Sequence, residues 1–292
     1  MPVTKDVLKK IRRLQLVSTQ LANDVLSGAY KSAFKGSGME FEEVREYQVG
    51  DDIRAIDWNV TARLGHPYVK SFKEERSLTV MLVVDVSASS HFGTAHQLKK
   101  DLIAEIGALL AFAAIQNGDK IGLILFSDQI EKYIPPKNGL HHVLRIIREL
   151  LIFQPLHTGT NLAQALSFLG KVQRKKSICF VISDFLCGDY AHEASLLAKE
   201  HDLISICITD PLERDFSSHA LMNLADLETG EMQLIAALTK EQREQFRLSA
   251  EERIRGHKQL MHKMGADFLE IRMDQPCMPI LRNFFKIRRR WR

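Results

Sequence analysis

The pattern of apolar and polar positions changes character once along the chain. Up to residue 78 the apolar runs are short and broken by polar residues and glycines; beyond it, unbroken apolar runs alternate with stretches of helical period. The runs TVMLVVD (79–85), KIGLILFS (120–127), SICFVISD (177–184) and LISICITD (203–210) are short and rich in β-branched residues. They predict strands buried on both faces. Between them the spacing predicts helices over 96–116, 140–151, from just after HTGTN (157–161), and over 192–201. The first of these sets Leu98, Leu102, Ile106, Leu109 and Ala113 on one face and Gln97, Asp101 and Glu105 on another. QIEKYIPP alternates and reads as an edge strand ending at Pro135 and Pro136. LMNLADLETGEMQLI (221–235) reads as a hairpin around Thr229 and Gly230. A long polar helix over 240–264 carries a narrow stripe of Phe246, Ala250, Ile254, Met261 and Met264; ADFLEIR is a last strand, and a short helix closes the chain. Strands without a polar face, separated by helices, predict an α/β fold with a doubly wound, mostly parallel sheet covered on both sides: a Rossmann-like three-layer domain over residues 79–292.

Residues 1–78 predict something smaller. A helix from roughly Lys5 to Ser27 leads into short strands and turns punctuated by Gly36, Gly38, Gly50 and the Gly65-His66-Pro67 turn, a small β-rich region.

Composition narrows the class. Apolar residues make up 45% of the 292 positions and charged residues 26%, as in an ordinary globular protein. A net charge of +4 is too mild to argue nucleic-acid binding, and none is expected. The basic end RNFFKIRRRWR reads first as a helix terminus with cations at its negative pole, while contact with anionic lipid stays open. Cys179, Cys187, Cys207 and Cys277 show no CxxC spacing, the start of the chain has no apolar core of a signal peptide, and no run is long enough to span a bilayer. The expected location is cytoplasmic.

The informative polar residues fall at the carboxyl ends of the predicted strands, where open α/β sheets bind ligands. Asp85 ends the first unbroken run, and a carboxylate there needs a counter-charge. Ser87 and Ser89 follow at alternate positions and point to the same side. Asp184 ends SICFVISD, and Thr160 sits in the HTGTN loop. A set with only oxygen donors suits a hard cation, Mg²⁺ or another divalent ion, with few protein ligands and water at the rest. Other chemistries lack their parts. There is no GxSxG elbow and no GxxxxGK[ST] loop, and the second aspartate that a haloacid-dehalogenase-type phosphatase needs is replaced by Ser87.

The set Asp85-x-Ser87-x-Ser89, with a separate Thr160 and a separate Asp184, resembles the metal-ion-dependent adhesion site of von Willebrand factor A domains. That resemblance implies Mg²⁺ held by these five residues, with one position open to a carboxylate of a protein partner. The preceding segment, YQVGDDIRAIDWNVTAR and then PYVKSFKEER, resembles the signature of a bacterial family called domain of unknown function 58. Its matching residues include Arg45, Tyr47, Gly50, Asp51, Asp52, Arg54, Asp57 and Trp58, read here first as a structural joint and second as a partner surface. Gly50-Asp51-Asp52 predicts a turn, and Arg54 is expected to bridge to a carboxylate. The resemblance implies a non-enzymatic, Mg-dependent interaction module that serves as an accessory to a MoxR-type AAA+ ATPase or binds its client. The alternative is a metal-dependent hydrolase at the same cation, with Asp128 or His157 as base.

Overall fold

The computed structural model describes Tyr30, Ala33 and residues 38–75, 77–93, 98–214, 222–225, 232–235 and 239–291. The helix expected between Lys5 and Ser27 and the Thr229–Gly230 turn lie outside these residues. The chain forms two compact units, one over Phe34–Ser77, the other over Leu78–Arg292 with Tyr30 and Ala33.

In the smaller unit, β1 (Gly38–Glu46) pairs antiparallel with β2 (Tyr68–Glu75), with an irregularity in register between Phe41 and Glu43. Helix α1 (Trp58–Leu64) lies between them in sequence. Its start is fixed by Asp57, whose side chain accepts from the amides of Asn59 and Val60, and its end by Gly65 in the left-handed conformation.

The larger unit is built on six strands in the order β10-β7-β6-β3-β4-β5. These are β3 (Thr79–Asp85), β4 (Lys120–Phe126), β5 (Ile130–Lys137), β6 (Ile178–Ser183), β7 (Asp202–Thr209) and β10 (Asp267–Arg272). All neighbours run parallel except β4 and β5, which form an antiparallel pair. The strands predicted from unbroken apolar runs are the central ones, because only a strand covered on both faces can do without a polar side. A separate pair, β8 (Met222–Ala225) and β9 (Met232–Ile235), is the antiparallel hairpin expected there.

Among the described residues, the longer helices beside the sheet are α2 (Lys99–Gln116), α3 (Leu140–Ile152), α4 (Leu162–Val172), α5 (Ala191–Glu200), α6 (Lys240–Lys263) and α7 (Cys277–Trp291). On one face, Met81 and Val83, Ile124 and Phe126, and Cys179 and Val181 pack with Leu162, Leu166, Leu169, Leu197 and Met261 of α4, α5 and α6. On the other, Phe180 meets Phe285 of α7 edge to face, and Phe285 meets Tyr30 in the same way. Tyr30 also donates to Asp119, which accepts the Leu78 amide as well, so both residues are tied to the turn after α2 within the larger unit.

Two features depart from the sequence reading. The α2 pattern suggests one apolar face, yet the helix is buried nearly all round, including Ala104, Gly107, Ala108, Ala111 and Ala114. These small residues admit a neighbouring helix: a methyl group on Gly107 would lie 2.6 Å from Leu150 of α3. Pro135 and Pro136 do not end β5 but lie inside it. Ile121 pairs with Lys137 and Leu123 with Ile134, so the two prolines face Gly122 alone across a bulge.

Candidate functional site

Strand β3 has β4 on one side and β6 on the other, although β6 follows only after the chain has gone out to β5 and returned. Asp85 therefore ends β3 at the point where the strand order reverses, and Ser183 and Asp184 end the adjacent β6.

Asp85 is buried. Its Oδ1 accepts the Ser87 amide at 2.9 Å, and its Oδ2 accepts the Ser183 hydroxyl at 2.6 Å. Burial and then the nearby charge of Asp184 push its carboxyl up to about 6, against the lowering effect of these hydrogen bonds. The backbone turns through a short 3₁₀ segment, Ala88–His91, that sets the Ser87 and Ser89 hydroxyls 3.1 Å apart.

The Thr160 loop is tied to the same place by its neighbours. The Ala88 amide donates to the Thr158 carbonyl at 3.0 Å, and the Asn161 amide donates to the Ser127 carbonyl at the end of β4 at 2.8 Å. Glu131 braces the loop from below, accepting the amides of Leu156 and His157 and the Ser127 hydroxyl. His157 thus helps to hold the loop through its backbone, while its ring stands 3.7 Å from Asp128. Asp85 is bonded to Ser87, whose hydroxyl meets that of Ser89; Asp184 is near enough for its charge to act on Asp85, and Thr160 lies on a loop tied to this turn through Thr158.

Asp184 has a partner that sequence reasoning missed. Lys99, 1% exposed, places its ammonium 2.8 Å from Asp184 Oδ2 and 2.5 Å from Glu213 Oε1. Burial alone would lower the pKa of this lysine, but Asp184 and Glu213 outweigh it and raise it. The other Asp184 oxygen accepts the Leu186 amide at 3.1 Å. One signal was available: Lys99 lies in the first turn of α2, where the helix dipole disfavours a cation unless carboxylates compensate. Ser183 was equally visible, one position before Asp184.

The donor chemistry of these residues would suit a hard cation. In an octahedron with bonds of about 2.1 Å, adjacent ligand oxygens lie about 3.0 Å apart. The Ser87 and Ser89 hydroxyls have this separation, beside two carboxyl groups whose mutual repulsion a cation would relieve. Every donor is oxygen. Among the described residues, no group of three or more His, Cys, Asp or Glu side chains gathers as a metal centre, so the candidate set depends on its hydroxyls.

In the smaller unit, the signature carboxylates serve the local fold. Gly50, with φ of +113°, makes the expected turn. The bridge to a carboxylate belongs to Arg45, whose guanidinium holds Asp51 at 2.7 and 2.8 Å; Arg54 instead gives its backbone amide to Asp52. The Tyr47 amide donates to the Pro67 carbonyl. Trp58 and Ile53 stay largely exposed.

Among the described residues, no helix is long and apolar enough to cross a membrane. Residues 43–256 match the family model "Protein of unknown function DUF58". The chain is 30% identical over 286 residues to uncharacterized protein Rv1480 of Mycobacterium tuberculosis, covering 96% of this chain and 89% of that one. It is 26% identical over 167 residues to uncharacterized protein YeaD of Bacillus subtilis, covering 54% and 40%. Solved structures similar to it include the hypothetical protein BatB of Bacteroides thetaiotaomicron, at TM-score 0.46 and 12% identity over 73% of this chain and 100% of that chain. A von Willebrand factor type A protein of Catenulispora acidiphila matches at TM-score 0.43 and 10% identity, over 76% and 44%.

Proposed function

The chain belongs to the DUF58 family, whose function is unknown, and we propose that it works there as a metal-assisted protein-interaction module docking at the Asp85 rim. The observation that carries this reading is the pair of hydroxyls 3.1 Å apart beside two opposed carboxyl groups at the reversal point of the sheet. Ser87, Ser89, Thr160, Asp85 and Asp184 would hold a divalent cation, Mg²⁺ first, either directly or through water. Such an ion, when bound, would supply an electrophile for a carboxylate of the partner.

The chain's own residues do the preparatory work. Ser183 and the Ser87 amide fix the Asp85 carboxyl group, and the Ala88 amide holds the Thr158 carbonyl against the turn. The partner we propose is a MoxR-type AAA+ ATPase or a client of such an ATPase, captured through an exposed acidic residue.

Interaction is favoured over hydrolysis because, among the described residues, the two candidate bases Asp128 and His157 are not oriented by each other. Asp128 and His157 are 47% and 40% exposed, and at 3.7 Å they are too far apart to hydrogen-bond.

The test is affinity capture of a MoxR-type ATPase from the same cell, by wild type and by Asp85→Ala, in magnesium and after chelation. Capture by wild type in magnesium, lost in the variant and on chelation, supports the reading. Capture that survives both changes overturns it.

A further inference from the structure

Lys99, Asp184 and Glu213 form a buried ionic cluster at the candidate metal site, joining the first turn of α2, the end of β6 and the helical turn Pro211–Arg214 after β7. We propose that Lys99 is a built-in cation that competes with the divalent ion for the charge of Asp184, keeping the metal weakly held until a partner's carboxylate is present. This inference rests on the metal-assisted reading above and adds its regulation.

The geometry supports competition rather than simple bracing. Asp184 is the one carboxylate shared by the rim and the cluster. Its Oδ2 carries the ammonium and its Oδ1 an amide, so a metal ligand bond to it must use a lone pair of an oxygen already engaged. Lys99 is almost wholly buried, so water screens its charge little. It cannot leave to bulk solvent without breaking two short ion pairs.

The charge balance gives this arrangement a use. Without Lys99, the full negative charge of Asp184 would fall to the ion beside that of Asp85, holding it tightly but leaving less attraction for another anion. With Lys99 in place, the metal-loaded rim is less negative and receives a carboxylate more readily. Metal and carboxylate then strengthen each other's binding, as linkage requires.

The experiment is a titration of the full chain with Mn²⁺, followed by electron paramagnetic resonance of the free ion, for wild type, Lys99→Met, Glu213→Gln and Asp85→Asn. Removing one buried positive charge should tighten Mn²⁺ binding by at least about tenfold in Lys99→Met. It should also make the melting temperature of that variant rise more with Mn²⁺ than that of wild type. Glu213→Gln leaves the ammonium to Asp184 alone and should weaken Mn²⁺ binding. A folded Lys99→Met that binds Mn²⁺ no more tightly than wild type overturns the inference and leaves the metal site standing. If Lys99→Met does not fold, an unchanged affinity in Glu213→Gln overturns it. Should no form bind Mn²⁺ in a way that Asp85→Asn abolishes, the metal reading itself falls, and this inference with it.

Discussion

The Ser183 hydroxyl donates to Asp85 Oδ2 at 2.6 Å, joining the carboxyl ends of two neighbouring parallel strands through one buried, charge-assisted hydrogen bond. Both residues are buried, so removing one leaves the other without this hydrogen-bond partner. Ser183→Ala is therefore expected to destabilise the fold by about 1.5–3 kcal/mol. Urea denaturation, with an unchanged slope and a lowered midpoint, checks this.

Gly122 sits in a central strand opposite the two prolines of β5. A methyl group there would lie 2.7 Å from the Met81 sulfur and 3.0 Å from the Ile134 carbonyl oxygen. The thioether can move, but the carbonyl belongs to the strand pairing. Gly122→Ala is expected to cost about 1–3 kcal/mol despite the better intrinsic propensity of alanine. Thermal unfolding measures it, and trimming Met81 should recover only part of the loss.

His257, on the long helix α6, is buried with both ring nitrogens engaged: Nδ1 with the Tyr190 hydroxyl and Nε2 with the Ser205 hydroxyl at 2.7 Å. Burial holds its pKa down to about 4. The unfolded chain takes up a proton at this group near pH 6.5 and the folded chain only near 4, so acidification through that window favours unfolding. Full stability from this source is present above about pH 6.5 and is lost as the pH falls toward 4, with a total on the order of 3 kcal/mol. His257→Phe should be less stable near pH 7, because two hydroxyls lose their partner, and should show a flatter loss between about pH 6.5 and 4. Urea midpoints at several pH values for both proteins test the slope.

Asp119 acts in the opposite direction. Burial raises its carboxyl to about 6, against the lowering effect of the Leu78 amide and the Tyr30 hydroxyl. Here the folded chain binds the proton more strongly, so this group's contribution falls as pH rises from about 4 to 6. Asp119→Asn should remove that decline while keeping a polar partner for Tyr30. The difference between the two stability profiles over this window is the measurement; parallel profiles would rule the assignment out.

Much of this fold could be read from the chain because parallel strands buried on both faces have an unmistakable pattern. The same logic placed Asp85 and Asp184 at one rim, since a carboxylate that ends such a run must lie at the sheet's carboxyl edge. The features that escaped depend on relations that periodicity does not carry. Lys99 and Glu213 touch across 114 positions, and nothing near either names the other. The all-round burial of α2 follows from Gly107 and its alanines, small residues that read as neutral in a one-face pattern. The prolines of β5 looked like a strand end because proline lacks an amide hydrogen; a bulge facing a glycine accommodates both inside the strand.

That bulge also limits how this molecule can assemble. Among the described residues, β5 is the outermost strand on its side of the sheet, and its two consecutive ring nitrogens have no hydrogen to offer a newcomer. An approaching extended peptide would find the hydrogen-bonding ladder interrupted midway. On that border, the sheet is closed to growth by strand addition, which defends the chain against edge-to-edge aggregation.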